Sequence, residues 1–199
     1  KFKSEIHANE IVLLAYYIAC INIEAVYDDL IKENEYQSFD GMVLTDTFQL
    51  YEQDRDMIAN LLPDNSERRT KQKSRNITII MGNPPYSAGQ KSENDNAANV
   101  RYENLDKAIS DTYAKYSNST RLVGIYDSYI RAIKWATERI GNKGCIAFVC
   151  GNAWLDRNFA DGMRKSLTID FSQINIINLR GDIRKNMLSS GLAKEGENI

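Results

Sequence analysis

Short apolar runs alternate along this chain with longer segments in which apolar residues recur every three or four positions. The short runs are bounded by glycine or polar residues, which is typical of strands. They lie at 41–45, 77–81, 145–150 and 174–179. The segments with helical spacing lie at 8–29, 48–62, 126–140 and 153–167. Strands and helices that alternate in this way predict an α/β sandwich around a largely parallel sheet.

The remaining segments are assigned from their polarity and their flanking residues. Residues 1–6 are predicted to be the tail of a strand, with Glu5 at its end. Pro63 is predicted to end the helix before it, because proline interrupts a helix interior. The charged residues 64–75 are predicted to be exposed, and the polar residues 87–104 are predicted to form a long loop.

The stretch 11–26 is apolar on nearly all sides and resembles a membrane span at first sight. Asn22 and Glu24 interrupt it, and it is shorter than the roughly 20 apolar residues that a bilayer requires. The stretch therefore predicts a core helix that is covered on several sides.

Composition and charge narrow the class of protein. At 199 residues, 43% of them apolar, the chain is long enough for one sizeable domain. A net charge of −2 argues against a protein that coats nucleic acid, although it leaves room for a local DNA-facing site. The three cysteines lie in apolar stretches and predict buried thiols in a reducing compartment, the cytoplasm. A single histidine and unpaired cysteine spacing predict no metal site.

The strongest chemical signal is Asn83-Pro84-Pro85-Tyr86, which follows the predicted strand at 77–81. Loops at the carboxyl ends of parallel strands line the ligand crevice. Two successive prolines fix φ twice and remove two donors, so this backbone is stiff and offers only acceptors. The Asn83 amide oxygen and the Pro84 carbonyl can accept both N–H bonds of a planar amino group, while Tyr86 stacks on its ring. A rigid turn with a core tyrosine is the alternative, and the complete motif favours a functional site.

These four residues resemble the catalytic motif of amino-group methyltransferases that use S-adenosylmethionine, most commonly N6-adenine DNA methyltransferases. Other segments resemble the methyltransferase part of type ISP-like restriction-modification enzymes, single chains in which a nuclease and a helicase-like motor come first. Those segments are 127–136, 144–149, 152–155, 163–167 and 177–182. The resemblance implies a Rossmann-like methyltransferase sandwich with a mostly parallel sheet, S-adenosylmethionine as cofactor and DNA as partner.

The resemblance also implies cofactor-binding residues. Glu5 matches the acidic residue that ends the family's second strand and holds the cofactor's ribose, with a surface residue at a helix start as the alternative. Asp46 matches the acceptor for the cofactor's adenine amino group, with a helix N-cap as the alternative. Phe48 is expected to pack on that adenine. The family's glycine-rich loop, which would precede Lys1, and its target-recognition region are not found, so 1–199 is predicted to be a partial catalytic domain.

The implied reaction is methyl transfer to N6 of an adenine that has been flipped out of the duplex. Upstream helicase and nuclease domains of the same polypeptide are implied partners, and a membrane is not. A cytosine-N4 enzyme more often carries Ser or Asp before the two prolines, so adenine is favoured. Two alternatives stay open. One is amino methylation of a protein glutamine or an RNA, and the other is a non-catalytic domain that positions DNA.

Overall fold

A computed structural model describes residues 1–32, 35–52, 61–85 and 101–179 as a mixed α/β structure. The strands are Ala8–Glu10 (β1), Met42–Leu44 (β2), Ile79–Gly82 (β3) and Cys145–Phe148 (β4). The α-helices are Leu13–Ile31 (α1), Pro63–Ser74 (α2), Glu103–Ile109 (α3), Ser128–Ile140 (α4), Ala153–Asp156 (α5) and Asp161–Asp170 (α6). Short 3₁₀ turns at Phe48–Leu50, Val123–Tyr126 and Asn158–Ala160, and a π-helical turn at Ser110–Ala114, connect them.

The four strands form two parallel pairs. In the first pair, β1 lies beside β2 with Ala8 opposite Met42 and Glu10 opposite Leu44. In the second, β3 lies beside β4 from Ile79 opposite Cys145 to Gly82 opposite Phe148. The predicted strands at 41–45, 77–81 and 145–150 are therefore confirmed, as is their parallel pairing.

Two strand predictions are wrong. Residues 1–6 do not end a strand, because the carbonyl of Lys1 accepts the N–H groups of Ser4 and Glu5 and closes a turn. The first strand, β1, begins only at Ala8. Residues 174–179 form no regular strand, and Ile177 is 84% exposed. An apolar run becomes a strand only beside a partner, and the described part of the chain offers none there.

Helix α1 is apolar, as predicted, but the described residues do not cover it on several sides as expected for a core helix. None of its side chains is buried among the described residues, and Leu14 and Ile21 are 69% and 64% exposed. Its inner side is held by Tyr27, whose ring stacks on Phe2 at 3.8 Å. Glu24 adds a hydrogen bond from the Phe39 N–H at 2.8 Å. Among the described residues, no helix combines the length and apolarity that crossing a bilayer requires.

Pro63 is the first residue of helix α2. Residues 53–60 of the helix that is predicted at 48–62 lie outside the described residues. Proline is well tolerated in the first turn, where its missing N–H would have had no intrahelical partner. The charged segment 64–75 is accordingly a packed helix, with Asn65, Arg69 and Gln72 buried. The Asn65 amide accepts the N–H of Leu44 at 2.8 Å and donates to the carbonyl of Leu44 at 3.0 Å. Helix α2 thus covers the outer edge of β2.

The main hydrophobic core surrounds helix α4. Its fully buried members include Ile109, Tyr113, Ile130 and Met163, contributed by α3, the π-helical turn, α4 and α6. Helix α6 approaches the π-helical turn so closely that a Cβ on Gly162 would lie 2.0 Å from the carbonyl oxygen of Tyr113. This position therefore requires glycine.

The single helix predicted at 153–167 is divided into α5, a 3₁₀ turn and α6. The chain is extended at Arg157, with φ −80° and ψ 144°, which ends α5. Arg164 from α6 donates to the carbonyls of Trp154 and Arg157 at 2.7 and 3.1 Å. A side-chain donor therefore satisfies backbone carbonyls near this break.

The β3–β4 pair is covered on one face only in the described structure. Ile80 and Phe148 pack toward α4, while Ile79 and Met81 on the other face are 64% and 75% exposed. Cys145 lies exposed as well. The prediction of three buried thiols is therefore wrong for Cys145. Cys20 and Cys150 are partly buried, and all three are free thiols.

Candidate functional site

The two prolines lie where the sequence predicted them, directly after a parallel strand. Strand β3 ends at Gly82, whose carbonyl accepts the Val149 N–H from the end of β4 at 3.0 Å. Asn83 and Pro85 are exposed, and Pro84 between them is buried. Tyr86 lies outside the described residues. The structure thus presents the Asn83 amide at the surface, on a backbone anchored by Pro84.

A second group of residues follows β2. One carboxylate oxygen of Asp46 accepts the N–H of Phe48, the first residue of the 3₁₀ turn Phe48–Leu50, at 2.9 Å. The other oxygen accepts the hydroxyl of Tyr102 at 2.7 Å. Since each carboxylate oxygen has two lone pairs, acceptor capacity remains for a ligand donor. The N-cap position of the turn is Thr47, and the hydrogen bond from Phe48 to Asp46 is compatible with ligand binding.

Tyr102 is the residue in this group that the sequence did not single out. It is 5% exposed, and its ring meets the ring of Phe48 edge-on, with centroids 5.2 Å apart. The guanidinium of Arg131 lies 5.5 Å from the Tyr102 ring centroid. Burial is the main cause that raises the pKa of Tyr102 well above its usual range, and the hydrogen bond to Asp46 is the second. The hydroxyl of Tyr102 therefore remains a proton donor.

The acidic residue at the end of β1 is Glu10, and Glu5 is not at a strand end. Glu5 lies in the exposed first turn. One carboxylate oxygen of Glu10 accepts the N–H groups of Ile11 and Val12, each at 2.8 Å. The sequence signal that would have found Glu10 is its place directly before the apolar stretch 11–26. The predicted strand at 1–6 obscured it.

Pairing of β1 with β2 brings Glu10 and the Asp46 segment to the same edge. The Glu10 carbonyl accepts the N–H of Thr45, the residue before Asp46, at 2.8 Å. Glu10 is the last residue of β1, and Asp46 lies two residues after the end of β2. Both therefore lie at the carboxyl ends of adjacent parallel strands, where ligand crevices form in α/β sheets.

Helix α4 relates this edge to the one that carries Asn83. Arg131 in its first half lies over Tyr102, beside Asp46. Arg139 in its last turn donates to the carbonyl of Arg75, just before β3, at 2.7 Å. Both Arg75 and Arg139 also lower the pKa of His7, just before β1, after desolvation as the main cause. The hydrogen bond of Arg139 thus joins the last turn of α4 to the segment that precedes β3.

In the described ranges, no three His, Cys, Asp or Glu side chains form a group that could hold a metal ion. The polar groups at the strand ends are carboxylates, an amide and backbone carbonyls, which can accept the N–H and O–H groups of an organic ligand.

One protein family and several solved structures match this chain. Residues 4–184 match the family described as Eco57I restriction-modification methylase. A nuclease-deletion mutant of the Type ISP restriction-modification enzyme LlaGI, solved with a DNA substrate mimic, is 50% identical with a TM-score of 0.87. That match covers 92% of this chain and 15% of the LlaGI chain. None of the curated proteins is similar to the chain.

Two further solved structures, both with DNA, also match this chain. The ATP-dependent Type ISP enzyme LlaBIII bound to DNA is 46% identical with a TM-score of 0.78, over 84% of this chain and 11% of its own. The DrdV–DNA complex is 37% identical with a TM-score of 0.76, over 86% of this chain and 16% of its own. The chain thus spans only about a sixth or less of these proteins. Because the family match extends over most of its residues, the chain belongs to the Eco57I restriction-modification methylase family.

Proposed function

We propose that residues 1–199 are part of the catalytic domain of a DNA methyltransferase that modifies N6 of adenine within a restriction-modification enzyme. The observation that carries this proposal is that Asn83, an exposed residue followed by two prolines, lies at the carboxyl end of a parallel strand. Membership of a restriction-modification methylase family supports it.

The proposed chemistry of Asn83 and Pro84 is orientation of an amino group. The amide oxygen of Asn83 and the carbonyl of Pro84 accept the two N–H bonds, which directs the nitrogen lone pair toward the methyl donor. Proline at positions 84 and 85 supplies no backbone N–H that would compete for these acceptors. Tyr86 is proposed to stack on the flipped base.

The residues at the ends of β1 and β2 fit the adenosine part of S-adenosylmethionine. Glu10 replaces Glu5 as the proposed ribose-binding residue, because a strand-end carboxylate can accept both ribose hydroxyls. Asp46 is proposed to accept the adenine amino group, and Phe48 to pack on the adenine ring. When bound, the cofactor would supply an activated methyl group on its sulfonium.

The proposed fold is the Rossmann-like sandwich of such enzymes. Among the described residues, β1 pairs only with β2 and β3 only with β4. Asn65 occupies the outer edge of β2. Both pairs are parallel, which supports a single parallel sheet in which a further strand joins β1 to β3.

DNA is the proposed partner, together with upstream helicase and nuclease domains of a longer polypeptide. Similarity to LlaGI and LlaBIII supports both, since these much longer proteins were solved with DNA or a DNA mimic. LlaBIII is ATP-dependent, and the LlaGI variant lacks its nuclease.

The test is methyl transfer by the full-length enzyme from S-adenosylmethionine carrying a labelled methyl group. Duplex DNA, RNA and protein are offered as separate substrates, and the DNA is then digested to nucleosides. We expect label in N6-methyldeoxyadenosine. Label in N4-methyldeoxycytidine would refute the adenine assignment, and label only in glutamine or RNA would refute DNA as substrate. Cofactor-independent DNA binding without any transfer would support the non-catalytic alternative.

Substitution of Glu10 and of Glu5 distinguishes the two ribose candidates. Glu10→Gln should weaken binding of S-adenosylhomocysteine by about ten-fold or more, because a charge-assisted acceptor for the ribose hydroxyls becomes neutral. Glu5→Gln should leave affinity unchanged, since Glu5 is exposed in a turn away from the strand end. Isothermal titration of both full-length variants measures this. A loss of affinity in Glu5→Gln and none in Glu10→Gln would assign ribose binding to Glu5.

A further inference from the structure

We propose that Tyr102 is a positioning residue for the cofactor site, which orients Asp46 and Phe48 and thereby sets selectivity for a 6-aminopurine. This inference rests on the proposed function, because it assigns the adenine end of the cofactor to Asp46 and Phe48. It adds a residue from a different part of the chain, since Tyr102 and Asp46 are 56 positions apart.

The geometry places Tyr102 against both residues at once. Its hydroxyl donates to Asp46 at 2.7 Å, and its ring lies at 83° to the ring of Phe48. The remaining oxygen of Asp46 is held by the Phe48 N–H. Both carboxylate oxygens of Asp46 therefore have a fixed donor, which leaves the carboxylate little freedom to rotate.

Three sets of contacts fix Tyr102 and the helix that follows it. Its carbonyl accepts the N–H of Asp106 at 2.7 Å, which begins helix α3. Arg131 covers its ring and forms a bidentate pair with Asp106 at 2.7 and 2.9 Å. Glu52 accepts the N–H of Leu105 at 3.0 Å and so ties α3 to the segment that follows Phe48. A side chain held in this way can impose a geometry on its neighbours.

The direction of these hydrogen bonds determines what ligand Asp46 accepts. Tyr102 and Phe48 both donate, so Asp46 is an acceptor at both oxygens and any further partner must also donate. The 6-amino group of adenine is a donor, whereas the 6-oxo group of hypoxanthine is an acceptor. The high pKa of Tyr102 keeps its hydroxyl protonated and preserves this polarity across neutral and alkaline pH.

The test compares two ligands in the full-length enzyme, S-adenosylhomocysteine and S-inosylhomocysteine. Tyr102→Phe keeps the ring and removes only the hydroxyl. We expect Tyr102→Phe to weaken binding of S-adenosylhomocysteine about ten-fold and binding of the inosine analogue much less. The ratio of the affinity for S-adenosylhomocysteine to the affinity for S-inosylhomocysteine should therefore fall. The maximal methyl-transfer rate at saturating cofactor should change by less than about three-fold, because no group at Asn83 is altered.

Three further variants separate positioning from general stabilisation. Asp46→Asn should also reduce the affinity ratio, since an amide can donate to the 6-oxo group. If Tyr102 acts through Asp46, the double variant should bind no worse than Asp46→Asn alone. Tyr113→Phe is the matched control, because it removes a buried hydroxyl in the main core and should leave the ratio unchanged.

The outcomes are distinguishable. Wild-type selectivity in Tyr102→Phe, or losses that add in the double variant, would overturn the role of Tyr102 while leaving Asp46 in the site. Unchanged affinity in both single variants would overturn the cofactor assignment itself, and with it this inference. The affinity ratio does not depend on the folded fraction of a variant, so partial unfolding does not obscure the result.

Discussion

Asn83→Ala should reduce methyl transfer by about a thousand-fold or more. The variant removes one of the two acceptors that orient the target amino group and leaves only the Pro84 carbonyl. Because Asn83 is exposed, the fold should be largely retained. Single-turnover transfer of a labelled methyl group to duplex DNA by the full-length enzyme measures the effect, and thermal melting checks the fold.

The matched control is Asn76→Ala, an exposed asparagine just before the same strand at its amino end. It should transfer methyl groups at the wild-type rate. Asn83→Asp keeps an oxygen acceptor and should retain more activity than the alanine variant. Near-normal methylation by Asn83→Ala would exclude the proposed catalytic role.

Gly162→Ala should destabilise the packing of α6 by about 3 kcal/mol. The added methyl group would lie 2.0 Å from the Tyr113 carbonyl oxygen and 2.6 Å from the Ser117 nitrogen. Both are backbone atoms, so the clash is relieved only if α6 moves away from the π-helical turn.

Hydrogen exchange of α6 amides in the full-length enzyme measures this loss. Amides protected by the packed helix should exchange about a hundred-fold faster, which corresponds to the expected free energy. Thr168→Ala is the control, because Thr168 is exposed on the same helix and its truncation leaves the α6 contact intact. Unchanged protection in Gly162→Ala would contradict this prediction, because it would show that the π-helical turn shifts to accept the methyl group without loss of stability.

The elements that could be predicted from the sequence are those whose signal is local and strong. Apolar runs identified β2, β3 and β4, and helical spacing identified α4. Strand β1 has only three residues, Ala8, Asn9 and Glu10, and carries no apolar run. Helix α2 is polar, and its buried groups are recognised only once they meet Leu44 and Thr45.

The candidate site divides in the same way. The two prolines and Asp46 follow predicted strands, so their place at strand ends could be inferred from the chain alone. Tyr102 could not be inferred, because its contact with Asp46 depends on how α3 and α4 pack. The sequence assigns Glu5 to the ribose because it predicts the end of the first strand at residue 6, whereas β1 ends at Glu10. A difference of a few residues at a strand end therefore changes which carboxylate is proposed for the ribose.

The hydrogen bonds of Asn65 have a consequence for how this sheet avoids aggregation. An uncovered edge strand is a template on which another chain can form intermolecular β-structure. The Thr45 N–H points toward β1, and successive residues of a strand point their backbone groups to opposite edges. The N–H and carbonyl of Leu44 therefore point to the outer edge, where the side-chain amide of Asn65 pairs with both. The outer edge of β2 therefore offers no free backbone pair at Leu44 to a colliding molecule, although the strand itself is only three residues long.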